Sequence, residues 1–209
     1  MRKVTCFVCF FCCAVYATAH PHMWFDCEFE VVFNQGVLQG VYVNWTFDKF
    51  FSSDIIAGYD SNHDGVFNYA ETTDVFQNAF TYTKDYKYFT FIRTGKERKS
   101  PVYVDRSKFS ATQKNGVLSY RFFVDLSAYK DLHELYIACY DYTFFCDIGY
   151  TKQCVSFTGT TNSPKYSIFE NKSYPIYYNP LGAMDDMRIY SKWAPGLNTY
   201  YPREVKITF

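Results

Sequence analysis

Trp24-Phe25-Asp26-Cys27-Glu28-Phe29-Glu30-Val31-Val32-Phe33-Asn34-Gln35-Gly36, and the run Val37–Phe47 that follows it, decide the fold. Phe25, Cys27, Phe29, Val31 and Phe33 alternate with Asp26, Glu28, Glu30 and Asn34. A period of two means a strand with one buried and one wetted face. Asn34-Gln35-Gly36 turns the chain, and Val41, Val43, Trp45 and Phe47 supply a second apolar face, so residues 24–47 form a hairpin. Working outward, strands are expected at Tyr88–Thr94, Pro101–Asp105, Lys108–Lys114, Val117–Leu126, His133–Tyr142, Cys154–Thr160 and Val205–Phe209. Asn115-Gly116 joins two of them through a strong hairpin signal. Residues 161–203 hold five of the seven prolines and read as a long irregular segment. The fold class is therefore mainly β (α+β): an antiparallel, immunoglobulin-like β-sandwich in a single domain over 20–209.

Helices interrupt the strands over about 48–86. Between them lies Asp60-Ser61-Asn62-His63-Asp64-Gly65-Val66-Phe67-Asn68-Tyr69-Ala70-Glu71. The stretch matches a twelve-residue EF-hand calcium loop at each position that carries chemistry. Asp60, Asn62 and Asp64 stand at positions 1, 3 and 5. Gly65 allows the sharp turn at position 6. Val66 offers its carbonyl, Phe67 points inward, Asn68 takes the water-bridged position 9 and Glu71 closes the site with a bidentate carboxylate. Phe51, Ile55, Ile56 and Tyr59 lie on one helical face before the loop; Tyr69, Thr73, Phe76 and Phe80 do so after it. The competing reading is an Asx-rich turn that merely caps the second helix. No second loop of this kind occurs in the chain, so a structural site with weak affinity is expected. His63, at position 4, is read as solvated.

Residues 1–19 read as a secretory signal peptide. Arg2 and Lys3 precede an apolar run, Val4–Val15, too short to span a bilayer, and Ala17-Thr18-Ala19 suits cleavage. A lipoprotein signal acylated at Cys12 or Cys13 is the alternative, with Phe-Phe-Cys-Cys a poor match to it. The expected product is periplasmic or secreted, with no later membrane-crossing segment. It carries 19 basic and 21 acidic residues. With no basic stripe, nucleic acid is not expected as a partner. Cys27, Cys139, Cys146 and Cys154 remain in it, and an even number in an oxidising compartment allows two disulfides in three connectivities, or buried free thiols. The high count of Phe and Tyr is put down to composition bias and β-packing rather than to ligand recognition.

Cleavage after Ala19 would leave His20 at the N-terminus. Its α-amine and imidazole can chelate one ion, with His22 two residues on. Nitrogen donors of this kind suit copper, nickel or zinc rather than calcium. Asp26 and Glu28 are candidate additional oxygen ligands. The competing reading is a polar terminus frayed in solvent. His133 reads as a strand-end surface residue.

His20-Pro21-His22-Met23-Trp24-Phe25-Asp26, then Trp45-Thr46-Phe47-Asp48, Phe50-Phe51-Ser52 and the acidic loop, resemble the domain-of-unknown-function-1007 family of bacterial exported proteins. The likeness continues through Phe89-Thr90, Ser119-Tyr120-Arg121-Phe122 and Tyr140-Asp141-Tyr142-Thr143-Phe144-Phe145. It implies a periplasmic component of an uncharacterised transport system, acting beside a membrane permease for nickel, cobalt or a similar transition metal. The four cysteines and the aromatic excess are not accounted for by it, and it supplies no catalytic residues. Three functions follow as expectations. The first is a non-enzymatic metal-binding accessory of a transition-metal transporter, carrying one calcium. The second is a calcium-stabilised adhesion or interaction module, and the third a copper oxidase with an N-terminal histidine brace. No nucleophile–base pair, phosphate-binding glycine loop or paired acid/base carboxylates favour a hydrolase. N-terminal sequencing of the exported protein should begin His-Pro-His. A product beginning at acylated Cys12 or Cys13 would exclude the amine chelate.

Overall fold

The computed structural model describes residues 21–129, 132–159, 163–182 and 187–209. Residues 1–19, expected from the sequence to be a signal peptide, and His20 lie outside the described residues. The alternation read over 24–47 becomes a hairpin of β1 (Met23–Asn34) and β2 (Val37–Phe47), paired antiparallel from Phe25↔Phe47 to Asn34↔Val37. All five inward residues of β1, and Val41, Val43, Trp45 and Phe47 of β2, are buried. The register shifts at Val32/Phe33. Nearby, Gly40 has no room for a side chain: a Cβ there would meet Phe123 at 2.2 Å and the Val124 carbonyl oxygen at 2.4 Å.

This hairpin is the middle of a five-stranded sheet. β4 (Phe109–Lys114) and β5 (Val117–Asp125), joined at Asn115-Gly116, extend it on the β2 side. β7 (Cys146–Thr158) pairs with β1 on the other side. That last pairing is parallel, which corrects the expectation of purely antiparallel sheets. β7 also starts eight residues earlier than the sequence suggests. Cys146, Ile148 and Tyr150 alternate with Asp147, Gly149 and Thr151 over a run too short to stand out, and pairing of Cys146–Tyr150 with Met23–Cys27 holds it extended.

The second sheet has four antiparallel strands in the order β3 (Thr90–Arg93), β6 (Glu134–Cys139), β11 (Arg203–Thr208) and β8 (Lys165–Glu170). β9 (Ile176–Tyr178) and β10 (Asn198–Tyr200) form a separate ribbon. Residues 161–203 are thus less irregular than their prolines imply, because β8 is completed by pairing with β11. Pro101–Asp105 in turn forms no strand, although Val104 is buried. The two larger sheets share one core. Phe25 meets Phe89 at 6.0 Å and Phe33 meets Phe209 at 5.3 Å between ring centres. The Tyr150 hydroxyl accepts from the Cys139 backbone N–H at 2.7 Å and donates to the Arg203 carbonyl at 3.1 Å.

Among the described residues, Cys27, Cys139, Cys146 and Cys154 are all buried free thiols. Burial, a hydrogen bond to the Cys139 thiol and neighbouring charge push the Cys27 thiol well above its ordinary range. Burial does the same to Cys146, with Asp141 adding to it. Thiols held protonated in this way are poor nucleophiles and poor metal ligands.

The second sheet carries one buried carboxylate, Glu204 of β11, at 1% exposure. Arg93 Nη2 and Arg98 Nη2 each reach it at 2.7 Å, and Asn171 Nδ2 at 2.6 Å. Burial alone would raise its pKa, but these donors outweigh burial and hold it below the ordinary glutamate value. Its contribution to stability is therefore full above the unfolded glutamate pKa of about 4.3 and fades as pH falls through the lower folded value. Glu204→Gln strands two poorly solvated guanidinium groups and should cost about 3–5 kcal/mol in urea unfolding at pH 7. A loss under about 1 kcal/mol would mean that the arginines find other partners or water.

Candidate functional site

Asp48 fixes how the helical segment leaves the sheet. Its backbone N–H bonds the Trp24 carbonyl at 3.0 Å, and its carboxylate accepts from the Trp24 N–H at 3.2 Å. The same carboxylate caps α1 (Lys49–Tyr59), accepting from the N–H groups of Phe50 at 2.7 Å and Phe51 at 3.0 Å. One side chain thereby ties the start of β1 to the start of α1. Ser52, fully buried in the first turn, accepts from the Leu118 N–H of β5 at 3.0 Å. Phe51, Ile55, Ile56 and Tyr59 pack against the core, the face expected from their spacing.

α2 (Tyr69–Asn78) begins with a capping box. Asn68 Oδ1 accepts from Ala70 N at 2.8 Å and Glu71 N at 3.1 Å, while Glu71 Oε2 accepts from Asn68 N at 3.0 Å. Val75 and Phe80 are buried completely. Phe80 stacks on Phe76 at 5.5 Å and meets Trp45 at 5.8 Å, so the second helix is keyed into the sheet core. A helix, an acidic loop and a helix therefore stand in the order that the sequence predicts.

Within the loop the side chains hydrogen-bond the backbone and hold the turn. Asp60 Oδ2 accepts from Gly65 N at 3.0 Å, across the turn. Asn62 Oδ1 accepts from Asp64 N at 3.1 Å, and Asp64 Oδ1 accepts from Val66 N at 2.8 Å. Gly65 has φ +79, the left-handed region that glycine enters without strain. Phe67 is buried, and His63 is exposed at φ 57, both as expected.

The decisive atom is Asp60 Oδ1. Asp60 is 4% exposed, and this oxygen is buried without a hydrogen-bond partner. A buried carboxylate oxygen left without a donor is costly, and an ordered water or a bound cation can supply the missing partner. Glu71 is differently placed. Its Oε1 accepts from Ser61 N at 2.9 Å and Ser61 Oγ at 2.7 Å, and Oε2 from Asn68 N. The Ser61 hydroxyl first, then the backbone N–H of Asn68, hold its pKa below the ordinary glutamate value. Glu71 is thus ionised at neutral pH but bonded to the loop's own donors. Among the described residues no three His, Cys, Asp or Glu side chains are gathered about one point. Closing a calcium shell requires Glu71 to exchange some of these donors for the ion. Asp60, Asn62, Asp64, the Val66 carbonyl, Asn68 and Glu71 remain hard oxygen donors of the kind calcium takes.

The nitrogen site is not assembled to the same degree. His20 lies outside the described residues. The His22 backbone N–H donates to the Phe145 carbonyl at 2.8 Å, and its ring lies 5.1 Å from the Phe145 ring. Asp26 instead lines a cleft of about 350 Å³ with Asp48 and Asp147, which His22 does not line. Glu28 accepts from Thr151 Oγ1 at 2.8 Å. His133 is exposed just ahead of β6.

Sequence reasoning missed one contact at the loop. Gln113 of β4 donates from Nε2 to the Gly65 carbonyl, and its Oε1 accepts from Gly116 N at 3.2 Å. With Gln113 and Gly65 separated by 48 positions, no local pattern announces this pairing.

Comparison with known proteins places the chain without assigning it an activity. An uncharacterized 15.5 kDa protein from the trpE 3′ region of Spirochaeta aurantia is 29% identical over 145 residues, covering 68% of this chain and 99% of that protein. The profile of a protein family of unknown function (DUF1007) matches residues 5–209. The chain belongs to the DUF1007 family.

Proposed function

We propose that this chain is an exported, non-enzymatic metal-binding protein whose Asp60–Glu71 loop holds one calcium ion as a single EF-hand. The paired sheets are read as an immunoglobulin-like sandwich with one added parallel strand. The observation that carries the calcium reading is the buried, unpartnered Asp60 Oδ1 inside a loop of the right spacing, flanked by helices on both sides. A divalent cation would draw Asp60, Asp64 and Glu71, which do not converge on one point without it, into a shared oxygen shell. Calcium here would act as a structural clamp between α1 and α2.

The wider role follows from the family resemblance: an accessory to a membrane permease for a transition metal such as nickel, cobalt, zinc or copper, with His20 and His22 as its nitrogen donors. A second reading, an interaction module stabilised by calcium, draws on a different observation. Val66, Tyr69, Val102 and Tyr103 are at least 65% exposed. Tyr69 lines a groove of about 610 Å³ with Phe67, Thr72, Arg106 and Phe109. Exposed aromatic residues beside a groove suit protein contact. Neighbouring genes would separate the two roles.

With a Kd of roughly 10⁻⁴ M, as for extracellular modules, about 1 mM calcium adds about 1.4 kcal/mol of stability. The melting temperature should then fall by about 3–5 °C on chelation, and Glu71→Gln should remove that response. An identical melting curve with calcium and with chelator would overturn the site. Nickel, copper or zinc should bind separately, more tightly as pH rises from about 5 to 8, because the amine and imidazole must first lose protons.

A further inference from the structure

EF-type loops usually work in pairs, each steadying the other, and this chain has one. We infer that the β4–β5 hairpin takes the place of the missing second hand, and that Gln113 is the positioning residue through which it does so. The inference rests on the calcium reading of the loop and adds to it a residue outside the loop pattern.

The hairpin grips every part of the helix–loop–helix. Leu118 N donates to Ser52 Oγ in α1 at 3.0 Å. Arg106, just ahead of β4, reaches Thr73 Oγ1 in α2 at 2.7 Å. Gln113 holds the loop itself through the Gly65 carbonyl.

That carbonyl belongs to the peptide joining Gly65 to Val66. The N–H of the same peptide donates to Asp64 Oδ1. The peptide plane is therefore pinned at both ends, by Gln113 and by a candidate ligand. The next carbonyl along the chain, that of Val66, is the backbone ligand of the pattern, so its direction depends on this plane. Asp60 Oδ2 meets the Gly65 N–H from the other side.

The amide of Gln113 is itself fixed. Its oxygen takes the Gly116 N–H of the Asn115-Gly116 turn, which leaves the NH₂ group facing the loop. Gly65 is also close-packed here, since a Cβ would lie 2.8 Å from Gln113 Nε2. Both glycines, at φ +79 and +73, thus serve one chain of contacts from hairpin turn to metal loop. With its backbone braced within the chain, the loop needs no second copy to bind one ion.

Calcium titration calorimetry on the mature chain, paired with sedimentation velocity with and without calcium, tests this. The wild-type protein should bind one calcium per chain with no calcium-dependent dimerisation. Gln113→Met keeps side-chain bulk and removes the donor, and should weaken calcium about 5- to 10-fold, the effect of one well-placed hydrogen bond. Gly116→Ala, strained at its positive φ, should weaken it in the same direction through the displaced glutamine. Lys114→Ala, the exposed neighbour, serves as control and should leave affinity unchanged. Comparison at matched folded fraction, verified by circular dichroism, separates positioning from a general loss of stability. Wild-type affinity in Gln113→Met would overturn the inference while leaving the calcium site standing. Dimerisation driven by calcium would overturn it too, by showing that a second hand comes from another copy. No calcium binding by the wild-type chain would overturn the site and the inference together.

Discussion

The aromatic knot around Trp45 and Phe80 is the constraint on which the remainder of the molecule depends. Trp45, in the central hairpin, meets Phe25, Phe47, Phe80, Phe89 and Phe122 within 6.2 Å between ring centres. Phe80 opens the 3₁₀ stretch that follows α2, and Phe89 closes it at the lead-in to the second sheet. One cluster therefore binds both sheets and the helix–loop–helix. Burying a large apolar side chain is worth roughly 2–3 kcal/mol before entropy costs. Six such residues far outweigh the ~1.4 kcal/mol that a weakly bound calcium would add. The core sets the fold, whatever the loop binds.

That ranking shapes the chemistry open to the protein. The loop is held by its own side chains before any ion arrives, through Asn62, Asp64 and the Asn68–Glu71 capping box. Pre-ordering of this kind lowers the entropic cost of binding. It also opposes binding, since Glu71 already accepts from Ser61 and Asn68 and must exchange those bonds. Under the calcium proposal, this balance would suit a weak structural clamp better than a sensor of small changes. Asp60 Oδ1, buried and without a hydrogen-bond partner, is a candidate ligand atom that would gain a partner without losing another.

The ionic cluster at Glu204 plays a comparable part in the second sheet. Arg93 and Arg98 stack on Tyr136 and Tyr174 at 3.7 and 3.8 Å while both hold the same carboxylate. Residues separated by more than a hundred positions are thereby fixed at one point. Aromatic faces replace part of the water that the guanidinium groups give up on burial. The aromatic excess of the sequence, attributed above to composition and β-packing, here also offsets the desolvation of charge.

Much of this was determined by the sequence. Strict alternation over Phe25–Phe33 and Val41–Phe47 names the buried residues of the central hairpin. The spacing Asp60–Glu71 names the loop, and the flanking periodicity places its helices, because period and turn chemistry are local properties of the chain. The parallel pairing of β1 with β7, the strands within 161–203, the hold of Gln113 on Gly65 and the gathering of Arg93, Arg98 and Asn171 on Glu204 were decided by tertiary structure alone. Each joins residues far apart in the chain, where no local period records the partner. A strand such as β8 exists because β11 completes its hydrogen bonds, and an atom such as Asp60 Oδ1 is orphaned only once the surrounding core has excluded water.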